Sequence, residues 1–310
     1  LDHLYVMDYP NGTPRRLTQG AEGEFQPAWS PDGQWVAYVT FPNNAGGNIY
    51  RVRADGSGQP QKLTTENAYW RTPAFTPNGS RILAVKGPAL LFTELVPGGG
   101  GGGGGQSDIV WIPSAGGAAT HVAEANGLGQ FHFVKGDTSR IWAYGGQRGL
   151  VSMRWDGTDV KSHLRIARAT PPGEGGGGGG RGGGAAWAQM SPLGDQVLTQ
   201  AGNDVYLVQM PWTGADAPTV TVGEAVGAWP MKKLSDIGAQ FPAWGADGKS
   251  VHWSIGNAHV VYDIDRARAF DASVRRARGA AGDSGAAHSD REPRCHGAGI
   301  GAAIGRAHHV

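Results

Sequence analysis

The sequence predicts an all-β protein built from repeated four-stranded antiparallel sheets. The clearest repeat covers 238–263, where Val251, Trp253 and Ile255 alternate with polar residues at the period of a β-strand. An Ala-Asp-Gly turn at 246–248 precedes this strand, and a further strand follows it. The same order of strand, tight turn and strand recurs along the chain.

Five turn motifs mark the repeats, at 30–33, 76–79, 135–137, 191–194 and 245–248. If Asp32, Asn78, Asp137, Leu193 and Asp247 are equivalent, the steps between repeats are 46, 59, 56 and 54 residues. A four-stranded sheet of this size cannot bury its apolar side alone, whereas radial stacking buries both faces and leaves only short edges. The sequence therefore predicts a β-propeller of five or six four-stranded blades.

The predicted propeller spans 1–263, and its N-terminus is incomplete because 4–18 matches only the second half of a repeat. We accordingly interpret the chain as a fragment. Glycine tracts at 98–105 and 173–184 are predicted to be flexible loops. A linker helix is expected over 264–278, because apolar residues there form one stripe among arginines. The remainder, 279–310, contains no Phe, Trp or Tyr and is predicted to be a disordered tail.

Composition argues against several classes of partner and cofactor. The net charge of +1 gives no global electrostatic reason to expect nucleic acid or an anionic membrane. The single cysteine, Cys295, excludes an internal disulfide and a cysteine-based zinc site. No apolar run approaches the ~18–20 residues that span a bilayer. We therefore expect no cofactor, no nucleic-acid partner and no membrane span.

The repeats resemble those of TolB-like propellers. The Pro-Ala-Trp-Ser-Pro-Asp-Gly run at 27–33 and the Leu-Thr endings at 17–18 and 63–64 carry this resemblance, which extends over about 2–263. A narrower similarity, at 129–133, 149–156 and 238–271, is to the N-terminal propeller of secreted amidohydrolases. In that family the propeller precedes a metal-dependent barrel.

The resemblance implies a periplasmic or secreted protein and leaves three functional hypotheses. In the leading one, the propeller is the non-catalytic accessory half of an amidohydrolase-like protein and docks on a barrel that this chain does not contain. The alternative is a free-standing TolB-like module that binds a protein or peptide. The third is an enzyme that uses residues at the channel mouth. No catalytic residue is carried over, because no His-x-His motif lies at a strand end.

Individual candidate residues favour structural roles. Asp32, Asn78, Asp137 and Asp247 are expected to close tight turns through their own side chains. The tryptophans at the repeats are expected in blade cores, with a smaller chance that one lines the central channel: Trp29, Trp70, Trp187 and Trp244.

Other motifs lack the context that their chemistry requires. The Gly-Asp-Ser-Gly run at 282–285 and the Cys295-His296 pair lie in the predicted tail, without a positioned base. The tail histidines are expected to bind a metal ion adventitiously at most and not in a designed site: His288, His296, His308 and His309. The glycine tracts precede no helix that could cradle a phosphate. The arginines of the predicted linker helix suggest a solvated surface: Arg266, Arg268, Arg275, Arg276 and Arg278. The sequence thus predicts no catalytic, cofactor-binding or metal-binding residue.

Overall fold

The computed structural model describes residues 3–9, 12–42, 46–89, 107–137, 139–169, 185–212, 216–223, 229–282 and 305–306. The described chain forms five sheets arranged as the blades of a propeller ring, preceded by a short hairpin. The predicted all-β propeller is therefore confirmed, with five blades and one C-terminal helix.

Each blade is a sheet whose strands follow one another from the inside of the ring outward. The N-terminal hairpin consists of β1 (Tyr5–Val6) and β2 (Arg15–Arg16). Blade 1 contains β3 (Gly23–Trp29), β4 (Trp35–Phe41), β5 (Asn48–Arg53) and β6 (Gln61–Lys62). Blade 2 contains β7 (Tyr69–Phe75), β8 (Arg81–Gly87), β9 (Asp108–Pro113) and β10 (Thr120–Glu124). Blade 3 contains β11 (Gly129–His132), β12 (Arg140–Gly145), β13 (Gly149–Arg154) and β14 (Lys161–Arg168).

The last two blades each depart from the simple repeat: blade 4 has an inserted strand, and the outer strand of blade 5 follows the C-terminal helix. Blade 4 contains β15 (Trp187–Met190), β16 (Gln196–Ala201), β17 (Asp204–Gln209) and β19 (Met231–Lys233). Between its last two strands the chain forms β18 (Thr219–Val222), which pairs in parallel with β14 and so extends blade 3. Blade 5 contains β20 (Gln240–Trp244), β21 (Ser250–Ile255), β22 (Ala258–Asp263) and β23 (Gly305–Arg306).

Stacking of the blades stabilises the ring because the second strand of a blade buries both of its faces. In β8, Ile82 and Ala84 pack in the core shared with blade 1, whereas Leu83 and Val85 pack in the core shared with blade 3. Full burial of an Ile or Leu side chain contributes roughly 1.5–3 kcal/mol. The alternation along one strand thus holds three blades together.

The N-terminal hairpin is the outer half of a blade. The N–H of Leu17 donates to the carbonyl of Leu4 at 2.8 Å, and in blade 1 the N–H of Leu63 donates to the carbonyl of Ile49 at the same distance. β1 and β2 therefore correspond to the third and fourth strands of a blade, as the sequence predicted.

A helix, α1 (Ile264–Gly282), follows blade 5 and ends four residues beyond its predicted limit. Asp263 caps it by accepting a hydrogen bond from the N–H of Arg266 at 2.8 Å. The Asp271 carboxylate binds the Lys232 ammonium at 2.7 Å and holds the helix against blade 4. No helix in the described ranges is long and apolar enough to cross a membrane.

The predicted disordered tail is only partly within the described residues. Its first residues belong to the last turn of α1, and Gly305–Arg306 pairs with β22 as the outer strand of blade 5. The rest of the tail and both glycine tracts lie outside the described residues.

Candidate functional site at the propeller axis

The inner strands carry a repeated β-bulge. In blades 1, 2, 3 and 5 the pairing register between the inner strand and the second strand shifts partway along the strand. At each shift lies a non-glycine residue with positive φ: Gln26 (52°), Thr72 (49°), Gln130 (54°) and Phe241 (52°). Such bulges aim side chains in directions that regular strands cannot reach, and they are frequent next to functional sites.

These residues occupy one equivalent position, four residues before the residue whose carbonyl closes the turn. Blade 4 has Trp187 at this position, in a strand without a register shift. Four of the five side chains converge on a cavity of about 280 Å³ at the axis. Its lining consists of Gln26, Pro27, Thr72, Pro73, Gln130, Phe131, Trp187 and Gln189. We call it the axial cavity.

The axial cavity presents hydrogen-bonding atoms that have unused capacity. The Gln26 side-chain oxygen accepts a hydrogen bond from the Thr72 N–H at 2.6 Å, which leaves the Gln26 amide N–H groups for another acceptor. Thr72 Oγ1 and Gln130 Oε1 are buried and have no hydrogen-bond partner among the described residues. A buried polar atom without a partner costs about 1–3 kcal/mol, so a ligand or water that supplies one is favoured.

The electrostatics of the axial cavity are neutral. None of the eight side chains that line it is charged. Trp187, Phe131 and the prolines provide apolar walls between the amide and hydroxyl groups. This combination suits a neutral group that both donates and accepts hydrogen bonds, such as a peptide backbone.

A buried histidine supports the cavity wall from behind. The N–H of Met190 donates to His132 Nε2 at 2.9 Å, so the ring proton sits on Nδ1 and donates to the Gln130 carbonyl at 2.9 Å. Burial lowers the pKa of His132 to about 4. The neutral ring thereby links the inner strands of blades 3 and 4.

A second concavity, of about 590 Å³, lies on the outer part of blade 3. Its centre is the Asp159 carboxylate, which binds the Arg140 guanidinium at 2.8 Å and lies within 4 Å of Arg154 and Lys161. The hydrogen bond from Arg140 lowers the pKa of Asp159. The three cations share this one carboxylate, and we interpret the group as an ion-pair network of the blade.

Beneath this network lies a serine–histidine contact that resembles a nucleophile and base. Ser152 Oγ is 2.7 Å from His163 Nε2 and accepts a hydrogen bond from Arg140 Nε at 2.8 Å. Ser152 is 0% exposed, so no substrate reaches its hydroxyl in this arrangement. The contact therefore links neighbouring strands within blade 3.

The predicted turn residues do close turns. Asp32, Asn78 and Asp247 each accept the N–H two residues further on, at 3.0, 3.1 and 2.9 Å. Asp137 accepts the Ser139 N–H in the same way. The predicted equivalence of Asp137 with Asp32 was wrong by one position. In blade 3 the turn closes between the Val134 carbonyl and the N–H of Asp137, whereas in blade 1 it closes between the Ser30 carbonyl and the N–H of Gly33, the residue after Asp32.

The tryptophans fall in three environments. Trp70 is fully buried and Trp244 packs partly buried between blades 4 and 5, so the blade-core prediction is correct for both. Trp187 lines the axial cavity. For Trp29 the prediction was wrong: it is 54% exposed, because the half-blade before blade 1 covers the outer strands and not the inner one.

The axial residues were not predicted from the sequence. The available signal was a proline directly after the bulged residue, at Gln26-Pro27, Thr72-Pro73 and Phe241-Pro242, and it does not mark Gln130 or Trp187. Residues 283–285 of the Gly-Asp-Ser-Gly run, the Cys295-His296 pair and the tail histidines lie outside the described residues. Within the described ranges, no three His, Cys, Asp or Glu side chains are grouped closely enough to hold a metal ion.

Comparison with known proteins finds similar folds but no matching family. No family model matches the chain. An uncharacterized protein of Agrobacterium fabrum is 35% identical over 91 residues, which are 29% of this chain and 30% of that protein. The structure of TolB from Acinetobacter baumannii matches with a TM-score of 0.55 and 14% identity, covering 85% of this chain. The chain matches 57% of that TolB structure.

An oligogalacturonate lyase from Vibrio parahaemolyticus also matches, with a TM-score of 0.51 and 10% identity over 85% of this chain and 69% of the lyase. Both structural similarities are too low in identity to indicate more than the fold. The five-bladed ring, the repeated turns and the TolB match agree on one architecture. The chain has the fold of the TolB-like β-propeller proteins.

Proposed function

We propose that this chain is a non-catalytic binding module that holds a segment of a protein or peptide at the mouth of the axial cavity. The observation that carries the proposal is the convergence of four equivalent inner-strand side chains on one neutral cavity. Two of them, Thr72 and Gln130, bring buried polar atoms that lack a partner among the described residues.

The chemistry of the cavity favours an extended peptide over a charged metabolite. A peptide backbone can donate to Gln130 Oε1 and accept from the Gln26 amide, while its side chain packs on Trp187. Because the site is partly enclosed, each such hydrogen bond is worth more than in water. A periplasmic or secreted location belongs to this proposal, since it follows from the TolB-like resemblance.

To test this, peptides that bind the protein are selected from a displayed library. Their affinities for the wild-type protein and for variants are then compared by calorimetry. Thr72→Val removes the hydroxyl and keeps a β-branched side chain at this position of positive φ. We expect about tenfold weaker binding, because one buried hydrogen bond contributes about 1.4 kcal/mol. The matched control is Thr120→Val, at an exposed position on the outer strand of blade 2.

Equal affinity of Thr72→Val and wild type for every selected peptide would exclude the axial cavity as the binding site. Equal loss in Thr72→Val and Thr120→Val would also contradict the proposal, since the effect would then not depend on the cavity. Circular dichroism of both variants shows that the fold is retained.

The accessory role beside an amidohydrolase-like barrel is a narrower form of the proposal. It is supported by the exposed Phe270 on α1, within the segment Arg266–Asp271 that resembles the junction to such a barrel. The two solved structures named above are a TolB and an oligogalacturonate lyase, so neither adds support to this form. Binding of a separately produced amidohydrolase barrel, reduced in Phe270→Ser, would support this form, and no binding would contradict it.

A further inference from the structure

The second concavity, on the outer part of blade 3, contains more positive than negative charge. Its lining includes three cations, Arg140, Arg154 and Lys161, and two carboxylates, Asp156 and Asp159. All three cations lie within 4 Å of a single oxygen, Asp159 Oδ2. The Asp156 carboxylate instead closes its own turn, by accepting the N–H and the hydroxyl of the second residue after it. We call the three cations and Asp159 the basic corner.

The repeated fold does not require this clustering of cations. Arg140 of β12 lies directly opposite Arg154 of β13, in the first pair after the turn. The equivalent pairs in the other blades are Trp35 with Arg53, Arg81 with Pro113, Gln196 with Gln209, and Ser250 with Asp263. None of these pairs places like charges opposite each other, an arrangement that destabilises a sheet. Blade 3 therefore carries a repelling pair that the architecture does not need.

The hydrogen bonds of the basic corner hold Arg140 in the blade but leave the other two cations available. The Arg140 side chain is 14% exposed, and its guanidinium donates to Ser152 Oγ and to the Asp159 carboxylate at 2.8 Å each. Arg154 Nε and Lys161 Nζ lie 3.6 and 3.7 Å from Asp159 Oδ2, which is too far for a good hydrogen bond. Both side chains are more than half exposed, and within the described part of the chain neither donates a hydrogen bond.

The charge and shape of the basic corner favour a carboxylate as its ligand. The lining has an excess of one positive charge, which one carboxylate neutralises and which a phosphate group, at about −1.5 to −2, would exceed. The Arg154 guanidinium can hold both carboxylate oxygens in a fork, with the Lys161 ammonium beside them. The ring of Trp155 is stacked on Trp111 and Phe133 in the core between blades 2 and 3, so it offers no platform for a sugar ring. These features favour an acidic side chain over an acidic sugar.

We propose that the basic corner of blade 3 binds the carboxylate of an aspartate or glutamate side chain of a partner protein. Arg154 and Lys161 contact this carboxylate, and Arg140 fixes Asp159 where it keeps both cations close together. The bound carboxylate offsets the repulsion between Arg140 and Arg154. The concavity, of about 590 Å³, also has room for the neighbours of the acidic residue. It shares no lining residue with the axial cavity, so the proposal does not depend on the function proposed above.

The test uses a blocked seven-residue peptide with one central glutamate among serines and glycines, and its counterpart with glutamine at the centre. Nuclear magnetic resonance titration follows the backbone amides of residues 155–161. We expect saturable binding of the glutamate peptide that weakens as salt is added, and no binding of the glutamine peptide. Arg154→Gln should weaken binding at least fivefold, because charge-assisted hydrogen bonds are about twice as strong as neutral ones. Arg165→Gln is the matched control, because Arg165 is an exposed cation of β14 outside the concavity.

The stability of Arg154→Gln separates a binding residue from a structural one. The variant removes the repulsion with Arg140, so its urea midpoint should equal or exceed that of wild type. A clearly lower midpoint would assign Arg154 to the stability of the blade and overturn the proposal. The absence of saturable binding of the glutamate peptide, or equal loss in Arg154→Gln and Arg165→Gln, would also overturn it. Tighter binding of glucuronate or of inorganic phosphate than of the glutamate peptide would overturn it in favour of an acidic sugar or a phosphate group.

Discussion

At the scale of single residues, His132 shows how a buried polar group can make the fold sensitive to acid. Its two ring nitrogens are both used, one as donor to Gln130 and one as acceptor from Met190. Protonation would convert the accepting nitrogen into a donor facing another donor. The neutral form is therefore the one that the fold requires.

The resulting pH dependence has a definite sign. Burial lowers the pKa of His132 from 6.5 to about 4, so between these values the unfolded chain binds more protons than the folded one. We expect the free energy of unfolding to be unaffected by His132 above pH 6.5 and to fall by up to roughly 3 kcal/mol as the pH decreases to 4. His163, whose pKa burial also lowers to about 4, acts in the same direction.

The measurement is urea unfolding of wild type and His132→Gln at pH 7 and pH 4.5. Glutamine can still accept the Met190 N–H through its side-chain oxygen and does not titrate. The variant should lose clearly less stability than wild type between the two pH values. An unchanged loss would mean that other groups produce the acid sensitivity.

At this scale the turns could be predicted from the sequence, but the axial residues could not. An Asp or Asn before Gly closes its turn with atoms only two residues apart, so the local sequence contains the interaction. The convergence of Gln26, Thr72 and Gln130 depends on bulges in three separate strands and on the radius of the ring. Spacing along the chain does not contain that information.

At the scale of elements, a Leu-Thr or Leu-Ser pair after the fourth strand acts as a clasp. In blade 1 the Thr64 hydroxyl accepts the Ile49 N–H at 3.3 Å and donates to Asn48 Oδ1 at 2.8 Å. In blade 4 the Ser235 hydroxyl makes the equivalent bonds, at 3.0 Å each, to the N–H of Val205 and to Asp204. The clasp fixes the start of the third strand against the end of the fourth.

Thr64→Val should destabilise the protein by about 1–3 kcal/mol, because it leaves the buried Ile49 N–H without its hydroxyl acceptor while preserving side-chain shape. Chemical denaturation measures the effect. Thr120→Val, at an exposed position on β10, should change stability by less than about 0.5 kcal/mol. If the two variants behave alike, the clasp does not contribute to stability.

The elements themselves were largely predictable where strands are antiparallel and adjacent in sequence. β21 (Ser250–Ile255) lies where the alternation of Val251, Trp253 and Ile255 predicted a strand, and β22 (Ala258–Asp263) is the further strand expected after it. β18 was missed because it pairs in parallel with a strand more than 50 residues away, so no turn marks its partner. α1 was predicted from its stripe, but its extension to Gly282 was not.

At the scale of the whole molecule, neighbouring blades meet at similar apolar interfaces, and the contact between blade 5 and the hairpin differs from them. Buried apolar clusters join the hairpin to blade 1 and each blade to the next. Among the described residues no such cluster joins blade 5 to the hairpin. Stability should therefore be lowest at the hairpin, which has a full apolar interface on one side only.

Glu24 is the residue that should control docking of the hairpin. It is 5% exposed, its carboxylate accepts the Leu4 N–H at 3.1 Å, and it also accepts the Thr18 hydroxyl. Glu24→Ala removes the acceptor of the buried Thr18 hydroxyl and the nearer of the two acceptors of the Leu4 N–H, the other being the Thr18 hydroxyl itself at 3.3 Å. We expect the hairpin to open locally while the blades remain folded, because the cores of blades 2 to 5 do not depend on these bonds.

Amide hydrogen exchange distinguishes local from global opening. In Glu24→Ala the amides of Leu4 and Leu17 should exchange at least tenfold faster, while those of Ile82 and Leu83 in the core of blade 2 keep their wild-type rates. Glu66→Ala is the control, because Glu66 is an exposed partner of Lys86 whose loss removes a surface ion pair of small energy. Faster exchange in all four amides would mean that the half-blade unfolds together with the ring, and that Glu24 contributes to global rather than local stability.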